Sequence, residues 1–295
     1  AIGAVACMPL LKLFGALDAK GNLIDAAGSR GFFLAASVMG VICIIGCLIH
    51  YFTTKERVEP ENDSDEHIGM IEAFKVMYSY KPFVMNTLYI LVYGIINLLI
   101  MSCLTYYCTY VMGSTAAVTP IQAVYLLMSL LTSAVAGAID RKLGRKKTML
   151  LAAVFYVLGK VWFIFDPYSM GAIYVNAITM GVASAITFIM FNTNRNNLSD
   201  LIEWHGGRRM DGMIGTADNL ATKLGEALAA QMMTGALAYF GFSTETAVQS
   251  ASAVNAINAM LGWVPALLGV IMFVIILFMD IDKDMEKMNA ERSKK

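Results

Sequence analysis

Gly137-Ala138-Ile139-Asp140-Arg141-Lys142-Leu143-Gly144-Arg145-Lys146-Lys147 separates two apolar runs, Ala116–Ile139 and Thr148–Phe165. Each run has about the length a helix needs to cross a hydrocarbon core of roughly 30 Å. The link is too short for anything but a tight turn, and Gly144 supplies the residue that takes a left-handed backbone without strain. Asp140 closes the first helix, where Arg141 or Arg145 is placed to pair with it. Such a cluster either latches two helices in one conformation and releases them in another, or simply marks the membrane side that retains Lys and Arg. Both readings put this stretch between two membrane helices, and that decides the fold class.

The rest of the chain repeats the pattern. Of 295 residues, 58% are hydrophobic and 15% charged, against about 25% charged in ordinary soluble domains. This excludes a soluble enzyme, a disordered tail and a nucleic-acid binder; no nucleic-acid partner is expected. Further apolar runs cover Gly31–Thr53, Val84–Met112, Gly171–Asn192, Met213–Phe240 and Ile257–Met279, with Ala1–Leu17 as a shortened one. The reading is an all-α polytopic membrane protein in contact with lipid.

Charge placement sets its orientation. Lys55, Arg57, Lys75, Lys81, the Arg141–Lys147 cluster, Arg195, Arg208, Arg209 and the Lys283–Lys295 tail all fall in alternate connectors, whereas the other connectors hold only Lys20 and Arg30. The first set is therefore expected in the cytoplasm, with the C-terminus inside and the protein in the cell's inner (plasma) membrane. Residues 54–82 read as a cytoplasmic linker ending in a short amphipathic helix, with Ile68, Ile71, Phe74 and Met77 at helical spacing. This divides the chain into 1–53, 54–82, a six-helix unit at 83–280, and a charged tail at 281–295. Six helices are one half of a common twelve-helix transporter.

Chemistry is sparse. His50, His67 and His205 are scattered, and no H-E-x-x-H, G-x-S-x-G or Walker A motif occurs. No enzyme, metal site or bound cofactor is expected. Cys7, Cys43, Cys47, Cys103 and Cys108 lie in apolar runs and read as small buried hydrophobes.

The informative run is Met213–Phe240. Lys223 lies about ten residues inside it, roughly 15 Å along the axis and so near the bilayer midplane. A cation there costs roughly 2.5–3.5 kcal/mol on insertion scales and needs a wet cavity or a partner. Asn219, Thr222, Lys223 and Glu226 share one helix face, Asp218 borders it, and Glu226 is one turn from Lys223. This is either a polar lining for a substrate cavity or a structural Lys–Glu pair between helices. Lys160 is a second intramembrane cation, whose stem is expected to snorkel to the nearer interface beside Asp166. Asn97 is a cavity candidate or an interhelical hydrogen-bonder. Tyr93, Tyr106, Tyr107 and Phe191 offer ring faces for stacking on a ligand, or serve as interface anchors.

The Gly137–Lys147 run resembles the G-x-x-x-D-[RK]-x-G-[RK]-[RK] loop of the major facilitator superfamily, with one residue fewer before the Asp. Ser79-Tyr80-Lys81-Pro82-Phe83, then Tyr106-Tyr107 and Tyr110-Val111-Met112-Gly113, is similar to the helix-7 region of the glycoside–pentoside–hexuronide:cation symporters. Ser199-Asp200-Leu201-Ile202-Glu203-Trp204, Arg208-Arg209-Met210-Asp211-Gly212 and Lys223-Leu224-Gly225 resemble that family's helix 10–11 signature. Lys55-Glu56-Arg57-Val58 fits the end of helix 6. The signature's Tyr-Gly-Glu is Trp204-His205-Gly206 here. The resemblance implies an incomplete major facilitator fold equivalent to helices 5–12, its missing N-terminal helices being a partner, and sugar:cation symport by alternating access. It implies substrate binding by Lys223, Asp218, Asn219 and Thr222, with Asn97 on a cavity-lining helix, and Glu226 and Phe191 join them as candidates on their own placement; it also implies gating contacts from the loops that hold Asp140, Arg141, Gly144, Arg145, Asp200, Glu203, Arg208 and Arg209. The coupling cation, Na+ or H+, is expected largely on helices outside the chain. A non-transporting sugar sensor or assembly partner is the alternative, with the acidic linker and charged tail as docking surfaces; such segments are more ordinarily solvated connectors.

Overall fold

A computed structural model describes residues 10–15, 25–54, 69–206, 209–243, 246 and 248–293. Among the described residues all regular structure is helical. The chain divides into two compact units, residues 1–67 with 115–123, and residues 68–114 with 124–295.

The first unit holds helix α1 (Asp25–Thr53) and a single helical turn at 10–13. Leu11 and Ala35 bury against one another, with Leu10 and Phe14 partly covered. Beyond that contact α1 is apolar and open: Ile42, Ile44, Ile45 and Ile49 are each more than half exposed. Cys43 and Cys47 are exposed too, which corrects their reading as buried hydrophobes; Cys103 and Cys108 do fit it. Most of the Ala1–Leu17 run lies outside the described residues.

The second unit carries α2 (Met70–Ser79), α3 (Lys81–Tyr106, extended by a π turn at Tyr107–Val111), most of α4 (Val118–Leu143), α5 (Arg145–Phe165), α6 (Met170–Gly206), α7 (Asp211–Tyr239), α8 (Ala251–Leu261), α9 (Trp263–Leu277) and α10 (Ile281–Arg292). Local chemistry sets several boundaries. Pro82 sits in the first turn of α3, where an amide hydrogen would have no helical partner. Gly144, at φ 81°, separates α4 from α5 as the sequence demands. Six helices of the described chain are long and apolar enough to cross a membrane: Arg30–Thr53, Lys81–Val111, Thr115–Leu143, Arg145–Phe165, Met170–His205 and Ala251–Arg292. α7, which carries the expected run Met213–Phe240, is not among them: it is long enough at 29 residues but not apolar enough, which departs from the sequence expectation.

α3 packs most extensively on α7, α5 on α6, and α9 on α5. The α3–α7 contact is made by small residues. A β-carbon on Gly94 would lie 2.8 Å from the Thr222 carbonyl, and Gly225 abuts the backbone of Leu91 and Ile95. Backbones that meet this closely gain dispersion contacts, the main attraction between helices in lipid.

Four expectations need correction. The run from Thr193 is not a loop: α6 continues through Gly206, because nothing from Asn192 to His205 breaks a helix. Charge there signals departure from lipid, not the end of the helix. The run Ile257–Met279 is two helices, broken at Gly262. In α2 the buried positions are Ala73 and Met77, while Ile71 is 85% exposed and Ile68 lies outside the described residues. The tail is not a solvated strand of charge either; α10 lies on α6 with Ile281 and Met288 buried.

Candidate functional site

α7 divides its predicted site residues between two environments. Lys223 and Glu226 pair at 2.6 Å on an open face, with the lysine side chain 75% exposed. Asn219 is exposed beside them and Thr222 half-buried. The Thr222 hydroxyl is spent on the Asp218 carbonyl, 2.9 Å away within the helix. Leu220, Leu224 and Leu228 form a separate exposed apolar stripe four residues apart. The open side of α7 therefore has a polar strip next to one suited to lipid.

Asp218 turns away from that strip. It is 1% exposed and accepts from Arg195 Nε of α6 at 2.7 Å, leaving Oδ1 buried without a partner. The sequence reading missed Arg195 as a site residue because it was counted among cytoplasmic loop charges. The detectable signal was the unbroken helical run through Thr193–His205, which places Arg195 on a helix opposite a buried acid. The Arg195 guanidinium also lies 5.4 Å from the centre of the Phe191 ring.

Phe191 links this pair to a second polar group. Its ring is 6.3 Å from that of Tyr93. Asn97 donates to the Tyr93 hydroxyl at 3.3 Å, and Tyr125 of α4 donates to Ser184 Oγ at 3.0 Å, which lies 3.5 Å from the Tyr93 hydroxyl. The chain Asn97–Tyr93–Phe191–Arg195–Asp218 thus crosses α3, α6 and α7. Tyr125 and Ser184 belong to it and were not anticipated. Tyr106 and Tyr107 do not join it: Tyr106 stacks with Tyr110 and Phe242, and Tyr107 is buried, donating to the Pro167 carbonyl.

Lys160 corrects its expectation outright. It does not reach an interface. It is fully buried and donates to the Leu261 carbonyl at 2.9 Å. The broken helix, which the sequence reading treated as continuous, supplies that acceptor.

At the end bearing the Asp140–Lys147 turn, the residues expected to gate are brought together unevenly. Arg209 sits among three carboxylates: Asp211 at 2.7 Å, Asp200 at 3.5 Å and Glu203 at 3.8 Å. The hydrogen bond to Asp211, and then the surrounding negative charge, hold its guanidinium pKa above the ordinary value. Ser199 donates to Asp211. A cavity of about 360 Å3 opens here, lined by Arg195, Asn196, Ser199, Asp200, Arg209 and Asp211 with Ile214. Arg208 lies outside the described residues.

The Asp140 pairing does not form. Asp140 Oδ1 and Arg145 Nε and Nη1 are buried without hydrogen-bond partners, and Arg141 is exposed. Gly144 turns the chain so that Lys146 does the tying instead. Its ammonium donates to the Leu277 carbonyl at 2.7 Å, and its backbone N–H to Asp282 at 3.2 Å. α10 extends this latch: Tyr80 donates to Asp284 at 2.9 Å, and Trp204 to Glu291 at 3.1 Å. Burial, and then the bond to Asp284, raise the Tyr80 phenol pKa, so it remains a donor.

The described helices thus carry a charged latch at one end and a polar strip along α7. The chain is 24% identical, over 98% of its length, to an isoprimeverose transporter of Lactiplantibacillus pentosus, and covers 58% of that protein. It is 23% identical, over 90% of its length, to the inner membrane symporter YicJ of Escherichia coli (strain K12), of which it covers 55%. It thus spans somewhat more than half the length of these curated relatives. A family model described as MFS/sugar transport protein matches residues 1–283. These families are transporters, not enzymes, and the chain belongs to the MFS/sugar transport protein family.

Proposed function

We propose that this chain works as the C-terminal six-helix half of a sugar:cation symporter, together with adjoining N-terminal helices, and that the whole protein moves a glycoside, pentoside or hexuronide by alternating access. The observation that carries the reading is the Lys223–Glu226 pair, open on a helix whose other face is packed by backbone contact against α3. A membrane-embedded cation on an open face needs water or a polar ligand. A cavity holding both a sugar and water meets that need. Lys223 then donates to sugar hydroxyls or a carboxylate, Asn219 adds a donor and an acceptor, and Glu226 holds the lysine between turnovers.

On this reading the basic end faces the cytoplasm, which its excess of Lys and Arg supports, and the Arg209 and Lys146 contacts serve as the inside gate. Coupling to Na+ or H+ is assigned mainly to helices outside this chain.

The test is uptake by the full-length transporter, with isoprimeverose, the sugar named for one relative, among the sugars tried. Lys223→Ala should abolish uptake while the protein still reaches the membrane in normal amount. Normal uptake by that variant would overturn the site assignment.

A further inference from the structure

The break between α8 and α9 is chemically unusual. An α-helix bonds each amide hydrogen to the carbonyl four residues earlier. Residue 265 is proline and has no amide hydrogen, so the Leu261 carbonyl loses its helical partner. The ladder closes on either side of the gap: Gly262 N–H bonds to the Asn258 carbonyl at 2.9 Å, and Ala266 N–H to the Gly262 carbonyl at 3.2 Å. The Leu261 carbonyl lies deep in the bundle, its residue 1% exposed. The ammonium of Lys160, fully buried on α5, donates to it at 2.9 Å.

The surroundings are shaped for this contact. Gly262 has φ −105° and ψ −79° at the break. A β-carbon there would meet Phe163 at 3.1 Å and Ile164 at 3.3 Å, both one turn beyond Lys160 on α5. α5 therefore packs tightly on the break. The segment before the break, α8, rests on α3, on the π turn at Tyr107–Val111 that extends it, and on α7.

We propose that Lys160 is a positioning residue: its ammonium replaces the amide hydrogen that Pro265 lacks, and so holds the break at Gly262 as a defined hinge for α8. A buried lysine is a costly way to satisfy one carbonyl, and a residue other than proline at 265 would satisfy it for nothing. Keeping both makes sense where the break itself is needed. The α8 segment then turns as a unit over α3 and α7. Its part in a transport cycle rests on the function proposed above; its part in holding the break does not.

The experiment compares Lys160→Met, Pro265→Ala and the double variant in the full-length protein, by peptide-resolved hydrogen exchange across residues 258–268 and by sugar uptake. Lys160→Met should speed exchange there by on the order of tenfold, the effect of leaving a buried acceptor unsatisfied. Adding Pro265→Ala should return exchange to the unsubstituted level, because residue 265 then supplies the missing hydrogen. Unchanged exchange in Lys160→Met, or no rescue in the double variant, overturns the proposal. In uptake, the double variant should keep its KM and lose at least fivefold in maximal rate, since it is stable but unbroken; an unchanged rate overturns the hinge. If the unsubstituted protein carries no sugar, the proposed function fails, and the exchange arm still decides the role of Lys160.

Discussion

Arg195 of α6 and Asp218 of α7 form an ion pair at 2.7 Å in which the acid is 1% exposed and the base about one-third exposed. The acid contributes nothing to the open strip that carries Lys223. It is held inside, with one oxygen on Arg195 Nε and the other unpartnered.

The asymmetry predicts the outcome of breaking the pair. Removing one partner of a buried pair costs about 3–5 kcal/mol, because the remaining charge loses its compensation, whereas replacing both is often close to neutral. Arg195 is partly open, so the lower end of that range applies. Arg195→Gln should markedly lower the thermal stability of the protein in detergent, and Arg195→Gln with Asp218→Asn should recover most of the loss. If the single variant melts with the unsubstituted protein, the pair does not hold α6 to α7.

The latch at the basic end should depend on pH. Lys283 bonds to Asp280 at 3.1 Å and, with the charge of Lys146 at 3.8 Å, holds its carboxyl below the usual range. A depressed carboxylate pKa contributes stability above the unfolded value of about 3.9, and that contribution disappears as pH falls through the folded value. α10 should therefore loosen only in acid below the normal carboxylate range. Trp204, which bonds to Glu291 of α10, provides a nearby fluorescent reporter. Asp280→Asn should remove this acid step from the Trp204 signal. Tyr80→Phe, which deletes the bond to Asp284, should weaken the latch at all pH values by about 1 kcal/mol. A Trp204 signal indifferent to both substitutions would contradict the latch.

These contacts show what a sequence can and cannot disclose. Most of the membrane runs, the Gly144 turn and the Lys223–Glu226 pair were legible because each depends on local spacing: a run length, one φ angle, one turn of helix; Met213–Phe240 does not qualify as a span by length and composition, and Ile257–Met279 is broken at Gly262. The partners of Asp218 and Lys160 were not legible. Arg195 is 23 positions from Asp218, and Leu261 is 101 from Lys160, so both pairings are fixed by helix packing. The Asp140 pairing failed for a related reason. Its neighbours in sequence were the obvious cations, but Lys146 turned toward Leu277 and Asp282, and Arg145 made no bond to the acid. Where several charges crowd one turn, sequence proximity does not choose among them.

The α3–α7 seam yields the sharpest contrast between similar substitutions. At Gly94 an added methyl would fall 2.8 Å from the Thr222 carbonyl, and the obstacle is backbone, which cannot rotate aside. Thr222 precedes Lys223, so the helices can separate only by displacing the polar strip. At Gly137, within α4, an added methyl meets nothing within 4 Å. There Ala should help slightly, since glycine inside a helix costs about 1 kcal/mol relative to alanine. Gly94→Ala is thus expected to lower both thermal stability and sugar affinity, and Gly137→Ala to leave both at or above the unsubstituted level. Melting curves in detergent and sugar-binding titrations on the two purified variants measure the difference. Equal behaviour would mean that α3 and α7 do not meet through Gly94, and the placement of Lys223 opposite a rigid seam would fall with it.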